Sequence, residues 1–299
     1  MRAPAKVNLC LSVHYPPERG YHALDSVFQT LDVCDTLEFE TCPVDSGESL
    51  TETSMGTPVA LDCGPIDIPT SDNLIFKAID LVEQACDVPS AFAGQMVRIV
   101  VDKRIPAGGG LGGGSSDAAA VLKAYARLQG LNPLGEDVLG VARKLGADVA
   151  FFLYGGAALM TGRGDELQRC LPPFPLPLVL MGDAQGNSTA AVYADFDGAP
   201  APAFDSFALA AAMEASDVAP ETLASLCGNN LEPAACRVGA ALAQRIERAK
   251  KDPAVLNALV TGSGATSFAI CADERSAQEF AVRARQFSDW VCVAHASDA

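Results

Sequence analysis

The 299-residue sequence is poor in charge, with only 19% Asp, Glu, Lys and Arg, and basic residues are the scarcer kind, 21 against 37 acidic. The resulting net charge of −16 argues against a general binder of nucleic acid or anionic membrane, since neither surface attracts such a chain at long range. An anionic small molecule stays admissible, because a local basic pocket overrides the global field at close range. Histidine is nearly absent. His14, His22 and His295, with no Cys-x-x-Cys pair among ten cysteines, leave no zinc-ligand spacing. Most cysteines sit between apolar neighbours, as in Leu9-Cys10-Leu11 and Val291-Cys292-Val293, and read as buried reduced thiols rather than a disulfide framework. Long apolar runs are missing too. The longest, Val149 to Met160, contains two glycines and is too short for a bilayer of about 30 Å. Lys6 and Asn8 interrupt the first apolar stretch, so no secretory leader is expected. These absences predict a cytoplasmic protein without a membrane or nucleic-acid partner.

What is present is a large apolar share, 49%, on a chain long enough for two domains. Alternation at Val7, Leu9, Leu11 and Val13 predicts a strand over 3–13. A second extended stretch is expected from Val27 to Glu40, with a turn at Asp35. Residues 43–58 are polar, small and aperiodic, and read as loop. Spacing predicts a helix from Asn73 to Ala85 capped by Asp72, and a strand from Met96 to Asp102. Further helices are expected over 117–128 and 134–145, the second stopped by Gly146. The proline-rich run 172–177 leads into a strand at 178–181. Helical patterns cover 205–226, 231–250 and 274–287, and strands are expected at 267–272 and 290–294. Segregated strands and helices favour an α+β architecture in two lobes. On composition alone the boundary falls near 172.

Six of the 26 glycines lie in Gly108-Gly109-Gly110-Leu111-Gly112-Gly113-Gly114, followed by Ser115-Ser116-Asp117. A predicted strand precedes this run and a predicted helix follows it. Glycine lets backbone approach a ligand closely, and a helix start offers free N–H groups and a positive dipole end, so the segment is an anion cradle. Walker A needs a lysine after the last glycine, and none is there. The dinucleotide fingerprint matches at Gly108, Gly110 and Gly113, but no acidic residue ends a following strand at the right distance. The protein-kinase motifs are absent as well. A flexible linker is the plain alternative, yet linkers are seldom wedged between a strand and a helix.

The run from Pro106 to Ala119 resembles the ATP loop of the GHMP kinase superfamily, which includes galactokinase, homoserine kinase, mevalonate kinase and phosphomevalonate kinase. Pro4-Ala5-Lys6-Val7-Asn8-Leu9 and Thr261-Gly262-Ser263-Gly264-Ala265 are similar to two further motifs of that superfamily. Gly20-Tyr21-His22, Asp35-Thr36-Leu37, Asp72-Asn73-Leu74-Ile75, Leu145-Gly146-Ala147-Asp148-Val149, Thr161-Gly162-Arg163-Gly164 and Asn230-Leu231-Glu232-Pro233 resemble one branch of it. That branch phosphorylates a methylerythritol linked to cytidine diphosphate. The resemblance spans essentially the whole chain except 43–66 and 195–225. It implies an α+β fold with a ribosomal-protein-S5-like N-terminal lobe, 1–155, and a ferredoxin-like C-terminal lobe, 156–299. It also implies an ATP- and Mg²⁺-dependent kinase acting on a 2-hydroxyl, as a monomer or weak homodimer. Two alternatives stay open. A sibling small-molecule kinase would lack the Gly-Tyr-His block, and a non-catalytic nucleotide-binding regulator would lack Lys6 or Asp148.

Asp148 heads an apolar run and, from the residues alone, reads equally as a helix N-cap and as a desolvated functional carboxylate. Lys6 is a lone cation in an apolar strand, or an edge lysine facing solvent. The resemblance pairs the two: Asp148 accepts or orients the hydroxyl proton, while Lys6 keeps it ionised and offsets charge on the transferred phosphoryl group. It further implies that Pro106, Gly108, Gly109, Gly110, Leu111, Gly112, Gly113, Gly114, Ser115 and Ser116 hold ATP. Ser115 or Ser116 would meet Mg²⁺, and no dedicated metal-ligand set is expected. Asn73 and Lys103 are implied near the adenosine end, although they read equally as a helix-start residue and a strand-end cation. Tyr21, His22 and Tyr193 are implied around the cytosine, which needs stacking faces and edge hydrogen bonds. Tyr21 and His22 also suit an ordinary turn after Gly20. Asn8 is implied at the methylerythritol portion, and the glycines of 262–264 as support for the ATP loop.

Overall fold

The computed structural model describes residues 1–17, 20–44, 49–64, 68–86, 95–183 and 186–298. Packing divides the chain into two compact units, each drawn from separated stretches of sequence. The first comprises residues 1–5, 33–105 and 112–154, and the second 6–32, 106–111 and 155–299. The long strands Arg2–Val13 and Leu24–Pro43 contribute residues to both.

In the first unit, residues 36–43 pair antiparallel with the strand Gln95–Asp102. That strand pairs parallel with Pro58–Asp62, whose other edge carries the short strand Thr51–Glu52. The helix Leu74–Cys86 makes the crossover that a parallel pair requires. It packs with the helices Gly113–Leu128 and Glu136–Leu145, and both of these pack with Ala147–Tyr154, burying Ile75, Ile79, Val121, Leu122 and Phe151. Three expectations change here. Asp35 is no turn but lies inside a continuous strand, fully buried. The stretch 43–58 carries strand pairing at 51–52 and 58–59, while 45–48 lie outside the described residues. The cap of the first helix is Asn73, whose Oδ1 accepts from Ile75 N at 2.9 Å, and Asp72 instead ends a 3₁₀ turn.

In the second unit, residues 6–13 are buried on both faces of their strand, so the apolar alternation marks only one of two covered faces. Cys10 and Leu11 pair parallel with Gly228 and Asn229. Ser26–Gln29 pair antiparallel with the strand Ala157–Thr161, which also pairs with Glu166–Leu171. A four-stranded antiparallel sheet runs in the order Val255–Val260, Ser267–Cys271, Leu178–Gly182, Trp290–Ala294. Counted along the chain, that is second, third, first, fourth, the order of a ferredoxin-like lobe. Val179, Met181, Ala258, Ala269 and Phe280 form its core. The two long helices expected in this half are each divided. Pro220 starts a new helix after Ser206–Glu214, with Asp217 at φ 62° in the link. Gly239 separates Glu232–Val238 from Ala240–Lys250, and a side chain there would meet Asn187 Oδ1 at 2.6 Å. Among the described residues, no helix is long and apolar enough to cross a membrane.

Candidate active site

The glycine run divides between the units. Gly108, Gly110 and Gly112 take φ values of 71°, 80° and 73°, a region that other residues adopt at a cost. In the first unit the helix opens at Gly113, and its first backbone bond is Ser116 N to Gly112 O at 2.8 Å. The amides of Gly113, Gly114 and Ser115 therefore have no acceptor within the helix. A Cβ at Gly114 would meet nothing within 4 Å, so this face of the turn is open. Ser115 is half-buried, whereas Ser116 is buried and its Oγ has no hydrogen-bond partner among the described residues. An open turn, bare amides and spare hydroxyls fit a phosphate ester and the cation it carries.

Behind this turn lies a group of charges the sequence reading did not assemble. Lys103 Nζ bonds to Asp35 and, at 2.6 Å, to Asp117. Asp35 Oδ1 also accepts from Arg104 N at 2.5 Å and Ile105 N at 2.8 Å. Burial pushes the Asp117 carboxyl up to about 6 against the pull of Lys103, with Asp35 adding to the rise. Burial presses Lys103 downward, but its two carboxylates more than offset this and its pKa ends up raised. Lys103 is therefore no exposed strand-end cation, since its ammonium is committed to holding the segment that enters the loop. Asn73 spends Oδ1 on its helix cap, while its Nδ2 donates to Cys63 Sγ at 3.6 Å. Asp148 stands in the first turn of Ala147–Tyr154, half-buried, where the helix N-terminus favours an anion. Gly146 ends the preceding helix and accepts from Val149 N, bringing the two helix ends together at this point.

The second unit holds Lys6 and Asn8 on one face of their strand, both buried. Lys6 Nζ donates to Asn8 Oδ1 at 2.8 Å and lies 5.3 Å from the centroid of Phe28. Asn8 Nδ2 donates to Ser26 Oγ at 2.9 Å, and Asn8 N donates to Thr261 Oγ1 at 3.1 Å. The solvent-facing reading of Lys6 fails, because this ammonium is desolvated and ordered. Lys6 N also donates to Leu111 O at 2.9 Å, tying its strand to the glycine run.

The aromatic candidates also gather in this unit. His22 and Tyr193 have ring centroids 5.3 Å apart, and Asp197 Oδ1 accepts from His22 Nε2 at 2.7 Å. Tyr21 is 62% exposed, leaving a ring face free for a planar group, and Arg163 lies 5.4 Å from its centroid. Asp165 orients that guanidinium at 3.2 Å. Arg163 was legible only as part of a motif, and Asp197 not at all, because nothing in sequence spacing joins residues 22 and 197. Among the described residues, no cluster of three or more His, Cys, Asp or Glu side chains could hold a metal.

Two family descriptions match the chain, GHMP kinases N terminal domain over residues 73–156 and GHMP kinases C terminal over 209–288. A 4-diphosphocytidyl-2-C-methyl-D-erythritol kinase of Pelotomaculum thermopropionicum is 37% identical over 294 residues, covering 97% of this chain and 95% of the relative. The enzyme of that name from Mycobacterium tuberculosis is 37% identical over 284 residues, covering 93% and 83%. A crystal structure of 4-(cytidine 5'-diphospho)-2C-methyl-D-erythritol kinase superposes with a TM-score of 0.73 at 32% identity, over 99% of both chains. Homoserine kinase from Cytophaga hutchinsonii gives 0.68 at 17% identity, over 99% of this chain and 94% of its own, a likeness of fold alone.

Proposed function

Because the chain belongs to the GHMP kinases, and among them to the 4-diphosphocytidyl-2-C-methyl-D-erythritol kinases, we propose that it transfers the γ-phosphoryl group of ATP to the 2-hydroxyl of 4-diphosphocytidyl-2-C-methyl-D-erythritol. This is a step of the non-mevalonate route to isoprenoid precursors. The observation that carries the acceptor assignment is the aromatic group of the second unit, with the exposed ring of Tyr21 and the His22–Tyr193 pair. These side chains suit the cytosine, and Asn8 suits the methylerythritol portion. We read 1–155 and 156–299 as the two family domains. The ten cysteines carry no disulfide, and burial pushes Cys10 up to about 11 and Cys271 up to about 12. These weakly acidic thiols suit a reducing cytoplasm, where we place the protein as a monomer or weak homodimer.

The mechanism rests on positioning and charge, since phosphoryl transfer has a loose transition state. Gly108 to Ser116, entered through Pro106, line the ATP phosphates, to which Gly113, Gly114 and Ser115 offer their bare amides, and Lys103 with Asn73 shapes the adenosine end. Mg²⁺ would be held by those phosphates and the Ser115 hydroxyl, where it supplies neutralisation of phosphate charge; Ser116, already buried, is the weaker candidate. Asp148 takes or orients the proton of the acceptor hydroxyl. Lys6, held by Asn8, offsets the negative charge on the transferred group. The direct test is incubation with ATP and the cytidylated acceptor, with the product identified by mass and phosphorus NMR. A product phosphorylated at the 2-hydroxyl is expected, and no ATP-dependent product would refute the assignment.

A further inference from the structure

The loop Thr261–Thr266 supports two parts of the proposed chemistry inside the second unit. On one side it meets the glycine run. Thr266 N donates to Gly109 O at 3.0 Å, and a Cβ at Gly109 would fall 2.5 Å from Thr266 Oγ1. A Cβ at Gly110 would fall 2.7 Å from Thr261 O. On the other side, Thr261 Oγ1 bonds to Asn8, and a Cβ at Gly262 would lie 3.8 Å from Lys6 Nζ. The loop has little to stiffen it from within. Its own backbone bonds are Thr261 N to Thr266 O and Gly264 N to Thr261 O, and its glycines are conformationally permissive.

Behind the loop sits Arg245, on the helix Ala240–Lys250 and only 2% exposed. Its Nε donates to Ser267 Oγ at 2.9 Å, its Nη1 pairs with Asp183, and its Nη2 donates to Ala265 O. All three guanidinium nitrogens are thus engaged, at three acceptors that flank or belong to the loop. A well-packed apolar residue stabilises a core as well as a buried ion pair does. What the planar fork adds is direction, because it holds three acceptors in one fixed geometry that an ammonium cannot reproduce.

We propose that Arg245 is a positioning residue for ATP binding, fixing the Thr261–Thr266 loop and through it the backbone of Gly109 and Gly110. The inference rests on the reading that the glycine run holds the ATP phosphates. It is tested with Arg245→Lys and Asp183→Asn, whose folding is checked by circular dichroism and thermal melting. ATP and acceptor affinities are then measured separately by calorimetry. In Arg245→Lys the ATP dissociation constant should rise about 10- to 100-fold, the scale of a roughly 1 Å misplacement, while acceptor affinity, which meets the loop only through Asn8, falls much less. Asp183→Asn should move the same way by less, and it carries the test if the lysine variant does not fold. A folded variant with unchanged ATP affinity, whatever its melting temperature, makes Arg245 a core strut and overturns the proposal. Equal weakening of both ligands overturns it too. Wild-type protein that binds no ATP overturns the phosphate-loop reading with it, whereas normal wild-type binding matched by the variants overturns this inference alone.

Discussion

Replacing Asp35 by alanine removes a fully buried carboxylate that accepts two backbone amides, Arg104 N at 2.5 Å and Ile105 N at 2.8 Å, and pairs with Lys103. Hydrogen bonds to a charged group contribute about 1.5–3 kcal/mol each, so the two amide bonds alone suggest about 3–6 kcal/mol. Lys103 keeps Asp117 at 2.6 Å and is not left wholly unpaired, which favours the lower half of that range. Breaking one side of a buried pair costs about 3–5 kcal/mol, and that is the predicted loss of unfolding free energy for Asp35→Ala. Asp35→Asn should cost less, because its amide oxygen still serves both N–H groups while its NH₂ cannot attract Lys103. The fluorescence of Trp290, the sole tryptophan, reports on the other unit. The assay is therefore native-state hydrogen exchange at the Arg104 and Ile105 amides, alongside a urea titration followed by circular dichroism. Both amides should lose protection in Asp35→Ala. Intact protection with a loss below about 1 kcal/mol, the range of surface changes, would refute the claim that this carboxylate holds the entry to the loop.

Asp148→Asn should lower turnover by at least about 100-fold, the general acid–base range, with ATP affinity little changed, and Lys6→Met should also lower it. Steady-state kinetics with separate ATP binding checks this, and near-normal turnover in Asp148→Asn would leave that residue a first-turn carboxylate serving the helix alone. His295 is bonded to Glu274 at 2.7 Å and to Asp32 at 3.2 Å, and these partners raise its pKa above the ordinary 6.5. Since the folded value is the higher one, its contribution is complete below about pH 6.5 and fades as pH rises through the folded pKa. Melting temperature should therefore fall less steeply above pH 6.5 in His295→Gln than in wild type, and identical slopes would contradict the assignment.

The glycine turn was legible as a turn because glycine in quantity is rarely neutral: Gly108, Gly110 and Gly112 are there for positive φ, and Gly109 for lack of space beside Thr266. The ferredoxin-like sheet was half legible. Three of its four strands alternate or run apolar, but Val255–Val260 is interrupted by Asn257, which bonds to the carbonyls of Ala224 and Cys227. Asp35 was misread because an acid within an extended stretch looks like a breaker until its partner is known, and Lys103 lies far along the chain. Arg245 gave no signal, since on a helix rich in Arg and Lys one buried cation looks like any exposed one. Asn73 and Asp72 were interchanged because both are good caps, and only the backbone decides which stands at the boundary.

In the proposed function, recognition of a cytidine diphosphate by local contacts directs the transfer. With a net charge of −16, the chain offers a diphosphate-bearing acceptor no long-range attraction, so binding energy must come from local contacts, for which Tyr21, His22 and Tyr193 are the proposed side chains. Binding of a remote group of this kind positions the reacting hydroxyl, and losing it lowers turnover as well as affinity. The most direct measurement compares kcat and KM for 4-diphosphocytidyl-2-C-methyl-D-erythritol with those for 2-C-methylerythritol 4-phosphate, at saturating ATP. Efficient phosphorylation of the first is expected, with both a lower kcat and a higher KM for the second. Equal turnover of the uncytidylated compound would contradict that expectation.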